Sequence, residues 1–137
     1  MRQRLFGMIA ALVCAFGVVT GTAGTAIAGP ADHNQDPVAR GCASDAYTIA
    51  WRNVGGATLQ LRYSPRCATN WLRVENYSGY YYFFVKSDAR PNEVVDGSGY
   101  AGVPGTHWGR MAYAPGATCI YIMASLNGVT SPFYRIC

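Results

Sequence analysis

Charged side chains are scarce in this chain of 137 residues, at 13% of the total. Histidine is scarcer still, with only His33 and His107. The five cysteines show no C-x-x-C spacing. Zinc sites built from cysteine and histidine need paired ligands of that kind, so no metal is expected. No stretch carries the 3.6-residue periodicity of an amphipathic helix, and no internal repeat is visible. Neither Ser64 nor Ser98 lies in the setting of a nucleophile elbow. Beyond the N-terminus, no run is apolar and long enough to span a bilayer.

What is present begins with a leader. Met1-Arg-Gln-Arg4 is a charged start, Leu5 to Val19 is apolar, and Thr20 to Ala28 is rich in small residues and ends Ala26-Ile-Ala28. This is the pattern of a secretory signal peptide over residues 1–28. The apolar run falls short of the roughly 20 residues an anchor needs, and no charged stop follows it. Cys14 lies inside that run and follows Val13 rather than a small residue, so it is not a lipoprotein cysteine. The expected product is a secreted, extracellular chain with no membrane association after cleavage. Its 109 residues, Gly29 to Cys137, suffice for one domain with its own core. Removal of Arg2 and Arg4 leaves nine basic against seven acidic residues, a net charge of about +2. That charge is too weak and too dispersed to argue for nucleic acid.

Four cysteines survive cleavage: Cys42, Cys67, Cys119 and Cys137. An even number in an exported chain argues for disulfides. Of the three possible connectivities, the one that closes each predicted hairpin locally pairs Cys42 with Cys67 and Cys119 with Cys137.

Alternation supplies the hairpins. Leu59, Leu61 and Tyr63 alternate with Thr58, Gln60 and Arg62, which places the first set toward a core. Upstream of Gly55-Gly56, Tyr47, Ile49 and Trp51 alternate with Thr48, Ala50 and Arg52, the pattern of a partner strand. Pro65 ends the pairing, because it has no N–H to donate. Leu72 to Glu75 alternates again, Ser78-Gly79 predicts a turn, and Tyr80 to Val85 is a strongly strand-forming aromatic run. The glycine-rich stretch from Asp96 to Pro115 predicts mostly loop. Ala117 to Ser125 predicts a strand, and Asn127-Gly128 a hairpin turn, since both residues tolerate positive φ. A three-residue turn there sets Cys119 opposite Cys137; a two-residue turn leaves them one position out of register, and Pro132 then marks the place for a correcting bulge.

The run Leu59-Gln-Leu-Arg-Tyr-Ser-Pro-Arg-Cys-Ala-Thr-Asn-Trp71, with Asp36-Pro37 and Gly41-Cys42 upstream, resembles the bacterial domain of unknown function 2690. Met111-Ala-Tyr113-Ala-Pro115 also fits. The resemblance implies a small secreted protein or the tail domain of a membrane-tethered regulator. It implies no established activity and no catalytic residues. Many relatives carry a further cysteine pair just before the Asp-Pro; here that region reads Asp32-His33-Asn34-Gln35, so that bridge is absent.

Taken together, these patterns predict an extended N-terminal arm over residues 29–40 and a single β domain over residues 41–137. The fold class is all-β, a small antiparallel sandwich or barrel stapled by two disulfides.

Catalytic constellations are thin. Gly97-Ser-Gly99-Tyr-Ala-Gly102 matches G-x-G-x-x-G, but Val103-Pro-Gly105 forbids the helix a dinucleotide site requires. His107 is a general-base candidate with Asp96 or Asp88 as orienting partner. Asp36, Asp45, Glu75, Glu93 and Asp96 are the carboxylates from which a glycosidase pair would be drawn. The aromatics are more informative. Ten tyrosines and three tryptophans are concentrated in the β region, many beside glycine. Core packing accounts for most of them. Tyr80, Tyr82, Tyr100, Trp108 and Tyr113 are the rings that would face a ligand, because sugar rings stack on such faces while tyrosine adds a polar handle. The first expectation is therefore a monomeric, non-enzymatic interaction module. It uses no cofactor, and its partner is cell-wall polysaccharide or another extracellular protein. A small secreted hydrolase using His107 with a loop carboxylate is the alternative, and a secreted inhibitor or toxin is a third.

Overall fold

The computed structural model describes residues 30–137, so the signal peptide expected over residues 1–28 lies outside the described residues. Among the described residues, every strand joins one open, antiparallel sheet of eight strands. The all-β class and the two cross-links follow the sequence. Among the described residues, no helix is long and apolar enough to cross a membrane.

Strands β1 (Tyr47–Val54) and β2 (Ala57–Ser64) form the expected hairpin, with Val54 opposite Ala57. Gly55 and Gly56 between them take φ of 57° and 83°, which glycine adopts at no steric cost. Leu59 and Leu61 are each 1% exposed. In β1 the register slips between Thr48 and Ala50. Ala50 therefore enters the core, while Tyr47, Ile49 and Trp51 stand exposed on an edge strand.

Strand β3 (Thr69–Ser87) is the spine, at 19 residues. The turn predicted at Ser78-Gly79 is instead an irregularity inside this strand. The register shifts between Val74 and Tyr77 and again before Gly79. Asn76 takes φ of 50° and Gly79 takes φ of 121°. A Cβ on Gly79 would lie 1.9 Å from Asn127 Oδ1, so glycine is required there by space as well. Extra residues in a ladder bend and twist a strand. The first half of β3 pairs with β2 and with β5 (Ala112–Tyr113). The second half pairs with β4 (Val94–Trp108) and β6 (Ile120–Leu126). Leu72 and Val74 from the first half share one core with Phe83, Val85, Ile120, Ile122 and Leu126. Burying a side chain the size of Phe83 contributes roughly 2–3 kcal/mol.

The glycine-rich stretch is a strand rather than the predicted loop. Gly97 lies opposite Phe83 and Gly99 opposite Tyr81 in the β3–β4 ladder. A Cβ on Gly99 would come 2.5 Å from the Tyr81 hydroxyl, and one on Gly97 would come 2.9 Å from the Cα of Gly109. A ring on β3 thus occupies the room that a side chain at Gly99 would need, and the Gly109 backbone occupies it at Gly97. Neither glycine takes a positive φ, so they serve packing rather than a turn.

At the C-terminal end, β6 turns through Asn127 and Gly128 into β7 (Val129–Thr130), with Leu126 opposite Val129. In β8 (Tyr134–Ile136) the register has moved by one, with Ile120 opposite Ile136. The bulge lies at Ser131 to Phe133, where the Ser131 hydroxyl accepts the Ala124 N–H at 3.1 Å. That shift brings Cys119 and Cys137 together as a disulfide, Cα atoms 4.0 Å apart. Cys42 and Cys67 form the other, with Cα atoms 5.8 Å apart. They pack with Trp71 and Met111 in a second, smaller core. Residues 30–40 carry a 3-10 turn at Pro30–Asp32. The segment is bonded to the sheet through Asn34 N–H to Met111 O (2.7 Å) and Met111 N–H to Gln35 O (3.0 Å).

Candidate functional site

Alternation along β3 sends Tyr81, Phe83 and Val85 inward and Tyr80, Tyr82 and Phe84 outward. Tyr80 faces Tyr100 across the β3–β4 ladder. Their ring centroids are 4.6 Å apart, and the rings are 69% and 65% exposed. Cross-strand aromatic pairs of this kind stabilise a sheet, yet a pair so exposed leaves most of its apolar area uncovered. Tyr82, half-buried, lies two residues along the same outer face. Phe84 follows, meeting the exposed Phe133 edge-on at 5.2 Å.

Two residues before Tyr80 on the same strand, Ser78 lines an open cleft of about 630 Å³. Its walls are the Gly55-Gly56 turn, Thr58, Gln60, the Glu75 to Ser78 irregularity and Asn127. Asn127 joins the cleft to the rings. Its Oδ1 accepts the Tyr80 N–H at 3.0 Å, and its Nδ2 donates to Ser78 O at 3.3 Å. Its own N–H donates to Tyr80 O at 2.9 Å, and the Tyr77 hydroxyl donates to the same oxygen at 2.6 Å. Glu75 is the cleft's carboxylate, and it is already engaged. Arg73 Nη2 lies 2.6 Å from its Oε1, and Gln60 Nε2 donates to its Oε2 at 3.3 Å. Gln60 Oε1 in turn accepts from Arg73 Nε and Nη2 at 3.0 and 2.8 Å. Among the described residues, the side chains of Thr58, Asn76 and Ser78 make no hydrogen bond. The cleft therefore offers amide, hydroxyl and backbone groups, with its charge neutralised from within.

Trp108 and Tyr113 lie elsewhere. Trp108 packs against the smaller core, and its indole N–H donates to Asp36 Oδ2 at 3.0 Å. Burial alone would raise the Asp36 carboxyl. The Ala39 N–H, the Trp108 indole and the Val38 N–H outweigh it and hold the group below the usual carboxylate range. Tyr113 sits on β5 opposite Thr69, and its N–H donates to His33 Nδ1 at 3.1 Å. Of the five rings singled out from the sequence, Tyr80, Tyr82 and Tyr100 share one face, and Trp108 and Tyr113 do not join them.

Among the described residues, His107 makes no ion pair with Asp96 or Asp88, the partners weighed for it; it lines a small pocket with Asp36. His107 Nε2 is 3.1 Å from Tyr77 O, and its ring stacks on Tyr81 with centroids 5.3 Å apart. Among the described residues, no carboxylate lies within ion-pair distance of it. Asp88 is 3.7 Å from Arg135 instead. His33 is the histidine that meets a carboxylate, with Nε2 3.2 Å from Glu93 Oε2 and its side chain 8% exposed. Burial, then the Arg90 charge, lowers its pKa against the pull of Glu93. With Nδ1 accepting a backbone N–H and Nε2 facing a carboxylate, His33 ties the N-terminal segment to the sheet. Asp45 likewise serves structure, accepting from Ser64 Oγ at 2.6 Å and Arg66 N–H at 2.8 Å.

Sequence reasoning passed over the cleft. Its signal was the loss of alternation at Asn76 and Gly79 within an otherwise regular run, which marks a bulge as readily as a turn.

Compared with known families, residues 31–117 match the model described as Protein of unknown function (DUF2690). No curated protein and no solved structure matches the chain.

Proposed function

We propose, from the premise that this chain belongs to the DUF2690 family of proteins of unknown function, that it is an exported carbohydrate-binding module acting without catalysis at the cell envelope. The observation that carries this is the exposed Tyr80–Tyr100 pair, tied through Asn127 to a polar cleft. Carbohydrates present apolar C–H faces ringed by hydroxyls. They suit an aromatic surface flanked by hydrogen-bonding groups. The leader over residues 1–28 and the two disulfides favour an extracellular setting. The engagement of His107 with Tyr77 and Tyr81 favours binding over hydrolysis.

Retention of the oxidised chain on purified peptidoglycan or chitin tests the proposal. Retention that falls in Tyr80→Ala and Tyr100→Ala is expected; no retention of the parent chain on either polymer overturns it. Docking of another extracellular protein is the second reading, favoured by Tyr47 and Trp51 exposed on the edge strand β1.

A further inference from the structure

We infer that the cleft at Ser78 is a subsite for an uncharged N-acetylated amino sugar, bound as part of a chain whose neighbouring unit stacks on Tyr80 and Tyr100. The inference rests on the carbohydrate reading and narrows its ligand class.

The cleft's chemistry selects among glycans. Its volume of about 630 Å³ lies within the range of small-ligand sites. Glu75 is held by Arg73 and Gln60. A cationic sugar would have to compete with that pair, and an anionic one finds no lysine or arginine in the lining. Neutral ligands are left. The open groups are of two kinds. Thr58 and Ser78 supply hydroxyls, which match the ring hydroxyls of any sugar. Asn76 supplies a carboxamide with both donors and an acceptor. Gly56 adds bare backbone, because nothing lies within 4 Å of where its Cβ would be. An acetamido substituent has one N–H and one C=O, the complement of a side-chain amide. A sugar carrying only hydroxyls leaves that pairing unused.

The two parts are also coupled. Asn127 lines the cleft and bonds both to Ser78 and to the backbone of Tyr80. A chain lying across Ser78 and Asn127 would reach both surfaces.

The test compares the β-1,4 trimers of N-acetylglucosamine and of glucose, which share a backbone and differ at the acetamido group. Calorimetric titration of the oxidised mature chain is expected to give tighter binding of the acetylated trimer by about two- to tenfold, the worth of one net hydrogen bond. Asn76→Gly keeps the positive φ that Asn76 takes and removes the amide. It is expected to abolish that preference while leaving the glucose trimer unaffected. Equal affinity of the parent chain for both trimers, with loss of both in Tyr100→Ala, overturns the subsite and leaves the aromatic surface standing. A preference that survives Asn76→Gly also overturns it. Binding of neither trimer, and of no polymer, overturns both.

Discussion

Asn127 grips the backbone of Tyr80 from two sides, its Oδ1 accepting the Tyr80 N–H at 3.0 Å and its own N–H reaching Tyr80 O at 2.9 Å. Asn127 itself takes φ of 50° in the β6–β7 turn. One residue thus turns a hairpin and fixes the strand that presents the exposed rings.

Replacing Asn127 by glycine keeps the turn conformation and removes the side-chain bonds. The expected loss is about 1–3 kcal/mol of stability, two net hydrogen bonds, to Tyr80 N–H and Ser78 O, measured by urea unfolding. Glycan affinity is expected to fall as well, because the Tyr80 ring loses its fixed support. Unchanged stability with full binding would show that the grip is incidental.

His33 makes stability depend on pH. Its native pKa lies below the ordinary value of about 6.5, so the folded state disfavours the proton that the unfolded chain accepts. Stability is complete above about pH 6.5 and is lost as pH falls through the lowered native value. Protonating Nδ1 also removes the acceptor for the Tyr113 N–H. Urea midpoints compared at pH 7.5 and 5.5 should show the loss, and His33→Asn should flatten it. A second decline, at lower pH, is expected from Asp36 and Asp45, both held below the usual carboxylate range. A parent chain as stable at pH 5.5 as at 7.5 would contradict this role for His33.

The two β4 glycines should respond differently to alanine. At Gly97 the new Cβ would meet the Cα of Gly109, backbone that cannot swing aside. Overpacking of that kind costs about 1–3 kcal/mol. At Gly99 it would meet the far end of Tyr81, which can rotate, so the cost should be smaller. Thermal unfolding of the two variants gives the order, and a larger loss in Gly99→Ala would reverse the packing argument.

These glycines also show where sequence legibility ended. The Leu59 and Leu61 alternation identified the core face of β2, because burial of one face imposes a period of two. The Cys119–Cys137 pairing was legible as a local hairpin closure, and of the two turn lengths the sequence allowed, the ladder has the two-residue turn with a bulge near Pro132. In β4 the deciding fact is what faces each glycine, the Gly109 backbone at Gly97 and the Tyr81 ring at Gly99, partners distant in sequence that local propensity does not record. The slip in β1 that buries Ala50 rather than Ile49 is likewise set by the partner strand. The candidate site was half legible. Tyr80, Tyr82 and Tyr100 follow from alternation once the β3–β4 pairing is known. Trp108 could not be separated from them, because its indole bond to Asp36 spans 72 residues.

The most direct measurement sets two exposed tyrosines against each other. Tyr100, 65% exposed, belongs to the proposed surface, and Tyr47, 52% exposed, lies on the edge strand β1 away from it. Each is replaced by alanine, and affinity for the β-1,4 N-acetylglucosamine trimer is measured by calorimetry. Tyr100→Ala is expected to weaken binding by roughly tenfold or more, the loss of one stacking ring, with Tyr47→Ala unchanged. Equal affinity in the two variants and the parent would contradict the account.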